Sequence, residues 1–530
     1  MAAQPTLGTL LAKNLAERPD ALAFVDGERR LSYAEFDRLC AGTAAWLQGQ
    51  GIGPGDRVAV WLVNRIEWLA LLFALARLGA TMMSVNTRFR TAELEHVLAR
   101  SAARLLVIQR HFRSIDFDAV LAEVDGSGLS ALQRIAVLDG GANLPPTMLG
   151  KPTVAFAPDA AGTAPAPADR SAPDALMILF TTSGTTQGPK LVMHVQGAIA
   201  LHAQHVAKAF GFDAPGSATL GAVPICGTFG LVAALASLSA GAPLVMMEAF
   251  DAQRAAALVR SHRLTHVFGT DEMLRRLLDL DATAGALPSV RMLGFVLNEE
   301  LAARAYARGW PVAGLYGSSE VQALFSLQSM ELPMQERILG GGRPASPEVE
   351  VRVRDVDSGQ LLPPGASGEL EIRSPTSFIG YLDNPEATAK VMRSDGFFRT
   401  GDVGRVREDG SFVFLTRTGD AIRLGGFLVS PVEIEEVIRQ LPGVADAQVV
   451  AVEIARQTRG VAFVIRSEGQ QTAVSEADVV AWVKSRMAGY KVPAQVWFVD
   501  TYPVTHSANG DKIQRARLRE IALARLAEPR

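Results

Sequence analysis

The chain has 530 residues, too many for one ordinary domain and enough for a large composite body with a smaller companion. Lys and Arg total 52 against 55 Asp and Glu, and 48% of residues are hydrophobic, which excludes a disordered chain and a nucleic-acid binder resting on a broadly basic surface. Two cysteines, Cys40 and Cys226, are too few for a disulfide framework and fit a reducing, cytoplasmic setting.

In chain order, Ser32 and Glu35 form a capping-box pattern ahead of Phe36, Leu39, Cys40 and Leu47, which lie at helical spacing. Val58 to Val63 is a β-branched run suited to a buried strand, and Asn64 with Glu67 repeats the capping pattern before a helix ending near Gly79. A strand at Met82 to Val85, a helix from about Thr91 and a strand at Leu105 to Ile108 follow. Strands alternating with helices predict crossover units and a mostly parallel sheet. Residues 155–175 are rich in Ala, Pro, Asp and Gly and are expected as a surface linker into a strong strand at Leu176 to Phe180.

Between Asp213 and Glu248 no charged residue occurs, a length that could suggest a membrane span. Pro215, Pro224, Gly227, Gly230, Gly241 and Pro243 cut it into short pieces, so buried strands and a core helix are expected and no span. After Gly340, the alternating segments Glu350 to Val353 and Glu369 to Ile372 predict antiparallel β-structure. Beyond about Asp420, a helix near Val432 to Arg439, strands at Ala447 to Val452 and Val461 to Ile465, a helix from Glu476 and a strand at Val496 to Val499 predict a compact α+β unit. The expected fold class is α/β. A large N-terminal domain (residues 1–419) of mixed and parallel sheets with helices and a β-rich subdomain precedes a small α+β C-terminal domain (residues 420–530).

The most informative stretch is Thr181-Thr182-Ser183-Gly184-Thr185-Thr186-Gln187-Gly188-Pro189-Lys190, directly after the strand ending at Phe180. Glycines let backbone N–H groups approach an anion, hydroxyls add donors, and the lysine supplies a point charge. By itself the run reads either as a polyphosphate cradle or as a Ser/Thr-rich surface turn. It is not the G-x-x-x-x-G-K-[ST] loop, because Leu191 follows Lys190.

Five further segments follow in order: Tyr316-Gly317-Ser318-Ser319-Glu320; Gly368-Glu369-Leu370 leading to Gly380-Tyr381; Thr400-Gly401-Asp402; Arg417 to Arg423 with Gly426 and Ser430 to Glu435; and Pro503-Val504-Thr505 with Gly510-Asp511-Lys512. Together with the Ser/Thr-rich run, they resemble the signature motifs of the adenylate-forming superfamily, which includes acyl-CoA synthetases, luciferases and nonribosomal peptide adenylation domains. The likeness runs from about Leu31 to Arg519.

The resemblance implies a two-step reaction, in which ATP and a carboxylate give an acyl-adenylate and pyrophosphate, and a thiol, usually that of coenzyme A, takes the acyl group. It implies that Thr182, Ser183, Gly184, Thr185, Thr186 and Lys190 hold the phosphates, with Thr185 counted among the catalytic groups. Glu320 would ligate Mg²⁺, since a hard cation prefers carboxylate and phosphate oxygens, and Gly317 and Ser319 of the same segment would count among the cofactor-binding residues. Tyr316 would offer its aromatic face to adenine, Asp402 would accept from both ribose hydroxyls, and Arg417 would reach the ribose or phosphates. Lys512 would stabilise charge developing between the attacking carboxylate and the α-phosphate. Asp420 matches the family's hinge. Gly425 and Gly426 matter because a pantetheine arm needs close passage along the backbone, and Arg423 counts among the cofactor-binding residues.

Departures from the family pattern fall at Gln187, where a glycine is usual, at Asp511, which separates Gly510 from Lys512, and at Gly294 to Asn298, which stand for the adenine loop. A fourth lies at Pro224 to Gly230: Gly227 stands where many acyl- and aryl-CoA ligases carry a histidine or aromatic side chain, so that either the acid pocket is wider or Phe229 forms its wall. The function expected is an ATP-dependent carboxylate–CoA ligase for a hydrophobic acid, fatty or aromatic. The alternatives are an adenylation enzyme loading a carrier-protein thiol, a luciferase-like oxygenase and a catalytically silent nucleotide-binding module. The expected partners are a small carboxylic acid, ATP and CoA, with no nucleic acid, no membrane span, and a homodimer as one assembly. His202, His205, His262 and His266 have metal-site spacings but no accompanying ligand cluster, and read as structural or surface residues.

Overall fold

A computed structural model describes residues 4–113, 115–138, 144–158, 166–182, 189–280, 286–295, 299–418, 422–424, 427–454, 457–467, 474–487, 489–505 and 512–527. The chain packs as two compact units: residues 1–350 with 373–398, and residues 351–372 with 399–530.

In the first unit, apolar β-branched runs form two sheets. One has the strand order Gly380–Tyr381, Leu191–Val195, Leu176–Thr181, Thr81–Ser84, Arg57–Trp61, Leu105–Ile108, Arg134–Val137, Lys151–Ala155 and Thr147–Met148. Its centre is parallel, with Val58 opposite both Met82 and Leu105, while Leu176–Thr181 and Leu191–Val195 pair antiparallel. The other places Thr219–Gly221, His266–Gly269, Met292–Phe295 and Val312–Ser318 side by side in parallel, then turns back through Gln322–Leu327 and Gly341–Pro344. Each sheet buries its own apolar cluster, around Trp61, Phe117 and Leu179 in one and Phe212, Phe268 and Phe295 in the other. The uncharged stretch resolves into strand Thr219–Gly221, helix Thr228–Ala240 and strand Leu244–Met246, as the proline and glycine breaks predict. No described helix is long and apolar enough to cross a membrane.

The Ser32–Glu35 capping box forms as expected, Ser32 accepting from the Glu35 amide and the Glu35 carboxylate from that of Ser32. The second pattern does not. Helix Ile66–Leu78 is capped at Arg65 without a side-chain bond, and Asn64 turns its amide into the neighbouring sheet. Glu67 is taken by Arg29, 2.5 Å away, and by Arg65. Buried backbone groups 157 to 183 residues away compete better for the Asn64 amide than the local helix end, which water can solvate.

In the second unit, the three-stranded sheet of Val444–Ile454, Gln457–Arg466 and Gln495–Phe498 carries helices Pro431–Arg439, Glu476–Lys484 and Arg515–Ala527. The last of these is not anticipated by the motif reading. Arg515 forks onto Glu435 at 2.5 and 3.0 Å, fixing that helix to the domain's first helix. Strands Phe398–Val406 and Phe412–Arg417 pair antiparallel, as expected, with Gly368–Arg373 beside the first of them.

Candidate active site

Strand Leu176–Thr181 ends where the Ser/Thr-rich run begins. Thr182 donates its amide to the Lys190 carbonyl at 3.1 Å, and the Lys190 amide returns to the Thr182 hydroxyl at 3.3 Å, so the two ends of the run are pinched together. His96 reaches the Pro189 carbonyl at 3.1 Å. Ser183, Gly184, Thr185, Thr186, Gln187 and Gly188 lie outside the described residues, as do Asn298, Asp420, Gly425, Gly426 and Asp511.

The Tyr316–Glu320 segment runs from the end of strand Val312–Ser318 into the turn of a β-hairpin, and neighbouring elements hold it. Ser319 donates its hydroxyl to the Thr181 carbonyl at 3.3 Å, and its main-chain carbonyl accepts from His194 Nε2 at 2.7 Å. Phe378 donates its amide to the Glu320 carbonyl at 2.7 Å. Beyond the turn, Gln322 has φ +67°, an uncommon conformation for a residue with a side chain. Its fully buried amide donates to the carbonyls of Ala198 and Thr376, and His202 Nε2 donates to that of Ala323 at 2.8 Å. Strain held by this many partners is what a turn needs if it must present one side chain accurately. Gly317 has a packing reason to be glycine: a Cβ there would stand 2.5 Å from Ala323 Cα.

That side chain is Glu320. Tyr381 donates its hydroxyl to Glu320 Oε1 at 2.9 Å, and Lys190 Nζ sits 4.6 Å from the centroid of the same ring. Tyr381 is itself fixed, because Gly380 at φ +140° makes the bend before it and its amide donates to the Thr388 hydroxyl at 3.0 Å. A cation, a carboxylate and an aromatic ring thus converge from three separate motifs. The first two are the hard donor and the counter-charge that a magnesium-bound polyphosphate requires, so the residues present fit that group. Tyr316 is buried beside Phe325, with ring centroids 6.2 Å apart.

The acid-side candidates lie in the same unit. Gly227 caps helix Thr228–Ala240 at φ −106°, and a Cβ there would meet nothing closer than the Pro224 carbonyl oxygen at 3.7 Å. Open space, not backbone geometry, distinguishes this glycine. Phe229 leans on Phe268 in an edge arrangement with centroids 6.2 Å apart. Cys226 has its thiol pushed up to about 11 by burial, which leaves it a poor nucleophile at neutral pH.

In the second unit, Asp402 and Arg417 stand directly opposite each other on paired strands, with Arg417 Nε 2.9 Å from Asp402 Oδ1. Thr400 orders the motif by donating to the Leu370 carbonyl and accepting from the Asp402 amide. Arg423 and Lys512 are placed by backbone alone, in strands Ile422–Leu424 and Lys512–Ile513, with Lys512 opposite Thr505. The contributions of His194, His96 and Tyr381 are not foreseen from sequence. The available signal for His194 is a lone polar residue inside the apolar strand Leu191–Val195, immediately after Lys190. His202 and His266 are buried and bonded to main-chain carbonyls, which gives both a structural role.

Two family models match, the AMP-binding enzyme over residues 11–382 and the AMP-binding enzyme C-terminal domain over residues 433–509. The chain is 31% identical to a 3-(7a-methyl-1,5-dioxo-octahydro-1H-inden-4-yl)propanoyl:CoA ligase of Rhodococcus jostii (strain RHA1), covering 98% of this chain and 99% of the relative. It is 31% identical to a feruloyl-CoA synthase of Amycolatopsis sp, over 94% and 96% of the two chains. Among solved structures it is similar to ATP-bound MatB from Rhodopseudomonas palustris, with TM-score 0.78 and 27% identity over 98% of this chain and 99% of that one.

Proposed function

Because the chain belongs to the AMP-binding enzyme family, we propose that it is an ATP-dependent carboxylate–CoA ligase for a hydrophobic, ring-bearing or fatty acid. Acyl-adenylate and pyrophosphate form first, then acyl-CoA and AMP. The observation that carries this reading is the convergence of Lys190, Tyr381 and Glu320 beside the pinched ends of the Ser/Thr-rich run.

Displacement at phosphorus asks mainly for positioning and charge neutralisation. Lys190 supplies positive charge for the phosphates of ATP. Glu320 holds Mg²⁺, which supplies further neutralisation of the triphosphate when bound. Tyr381 keeps the Glu320 carboxylate in one orientation. Asp402 takes the ribose hydroxyls and Arg417 the neighbouring ribose or phosphate oxygens; their pairing in the second unit supports these roles, since it holds a buried carboxylate in one orientation. Tyr316 serves adenine, with Gly317 and Ser319 shaping the turn. Thr182 to Thr186 bind the phosphates, Thr185 among the catalytic groups, and Lys512 neutralises the attack of the carboxylate. Asp420 is the hinge that divides residues 1–419 from 420–530, and Arg423, Gly425 and Gly426 border the CoA arm.

The acid lies against Gly227 and Phe229. The named relatives act on a fused-ring propanoate and on ferulate, and the open space at Gly227 supports an acid with a ring near its carboxylate. The enzyme works in the cytoplasm on small molecules, and a homodimer is the assembly to test by sedimentation. The functional test measures pyrophosphate release and thioester formation across aliphatic, aromatic and fused-ring acids, with CoA or a carrier protein as acceptor. CoA-dependent thioester formation with a hydrophobic acid is expected; pyrophosphate release with none of the acids would overturn the reading.

A further inference from the structure

The loop from Gly221 to Gly227 runs from a strand end of one sheet to the helix that carries Phe229, yet it is held from the other sheet. Asn64 follows strand Arg57–Trp61, and Ser84 ends the adjacent parallel strand Thr81–Ser84. Asn64, 4% exposed, donates its amide to the carbonyls of Gly221 at 3.2 Å, Val223 at 2.9 Å and Met247 at 3.2 Å. Its Oδ1 accepts from the Ile225 amide at 2.9 Å. Two N–H bonds meeting three carbonyls means that one is shared, so the donor capacity of the Asn64 amide nitrogen is fully used. Ser84, 1% exposed, donates to the Cys226 carbonyl at 2.7 Å.

Every second residue of the loop is therefore tied down: 221, 223 and 225 by Asn64, with 226 added by Ser84. Below it, Gly230 lets the helix rest on the loop, since a Cβ there would stand 2.4 Å from the Pro224 carbonyl oxygen and 2.5 Å from that of Val223. Val223 and Ile225 are buried, so their main-chain groups have to be met from within the protein, and a side chain of the other sheet meets them. Spending two buried polar side chains on it makes geometric sense if its position matters to what lies beside Gly227.

We propose that Asn64 and Ser84 are positioning residues that set acid selectivity by fixing the Gly221–Phe229 segment, with no part in holding the nucleotide. The inference rests on the reading that Gly227 and Phe229 face the acid. The nucleotide side is braced separately, through His194, Ser319 and Phe378.

The test is steady-state kinetics on Ser84→Ala, Asn64→Ala and Gly227→Leu, with acids graded in width and ATP varied independently. For Asn64→Ala, KM for the preferred acid should rise about tenfold and the ranking of acids should flatten, while KM for ATP changes less than about twofold. Ser84→Ala, which frees a single carbonyl, should show the same split on a smaller scale and decides the matter if Asn64→Ala does not fold. A parallel rise in both KM values, or an unchanged acid ranking, would overturn the proposal. Gly227→Leu separates the two levels. If it alters acid ranking while the other variants do not, the acid-site reading stands and the clamp fails; if it leaves the ranking untouched, the acid-site reading falls and the clamp with it.

Discussion

Tyr381 donates a hydrogen bond to Glu320 at 2.9 Å while its ring faces the Lys190 ammonium, so one side chain touches both charges of the candidate phosphate site. The residues stand 61 apart in sequence. The phenol thereby does two separable things: it orients a carboxylate, and it gives a cation a fixed apolar face with favourable electrostatics.

The two can be told apart by substitution. Tyr381→Phe keeps the ring and loses the bond to a charged acceptor, a loss of order 1.5–3 kcal/mol when fully expressed. Adenylation, followed as pyrophosphate release, should fall about tenfold, with a raised requirement for Mg²⁺. Tyr381→Leu should fall further, because Lys190 loses its platform as well. Equal activity of Tyr381→Phe and the parent at limiting Mg²⁺ would remove Tyr381 from the site.

Lys512→Ala should abolish most acyl-adenylate formation while the conversion of preformed acyl-adenylate to thioester largely persists, since the lysine's charge is needed only where negative charge develops at the α-phosphate. Separate assays of the half-reactions decide this. An equal loss in both would refute the assignment of Lys512 to adenylation.

Gly227 and Gly230 are three residues apart and should respond in different ways. Gly227→Leu begins from a Cβ position with no neighbour closer than 3.7 Å, so the fold should persist with a loss of about 1 kcal/mol at the helix N-cap, while the widest acids are lost from the substrate range. Gly230→Ala drives a methyl group into two main-chain carbonyls, and the overpacking should cost about 1–3 kcal/mol of stability in a denaturant titration, outweighing the roughly 1 kcal/mol gained in helix propensity.

His194 and His202 are buried rings whose pKa is pushed down to about 4 by desolvation. Each donates Nε2–H to a carbonyl as a neutral ring, and Nδ1 of His194 has no hydrogen-bond partner among the described residues, so a second proton there would be an unsolvated charge. In the unfolded chain both titrate near 6.5, so between about 4 and 6.5 the unfolded state binds more protons than the folded one. Stability should be complete above about pH 6.5 and decline as the pH falls towards 4, by roughly 3 kcal/mol per ring across the full range. His202→Gln, which retains a donor for Ala323, should flatten that slope in urea titrations at pH 5 and 7.

What the sequence determined by itself is the chemistry and the local order. The Ser/Thr-rich run, the Glu320 segment, the Asp402 strand and the Lys512 segment are legible as family motifs because each is contiguous in the chain. Strand and helix sites in the body and C-terminal unit were legible for the same reason, through apolar periodicity and the Ser32–Glu35 cap. Only the tertiary structure decided which polar side chains would brace those groups. Asn64 reads as a helix cap and serves a loop 161 residues away; His194 stands in no motif and holds a carbonyl 125 residues away. The physical reason is that a buried donor is committed to whichever unsatisfied backbone group the packed sheets bring beside it, and that partner is set by three-dimensional topology, which local spacing does not encode.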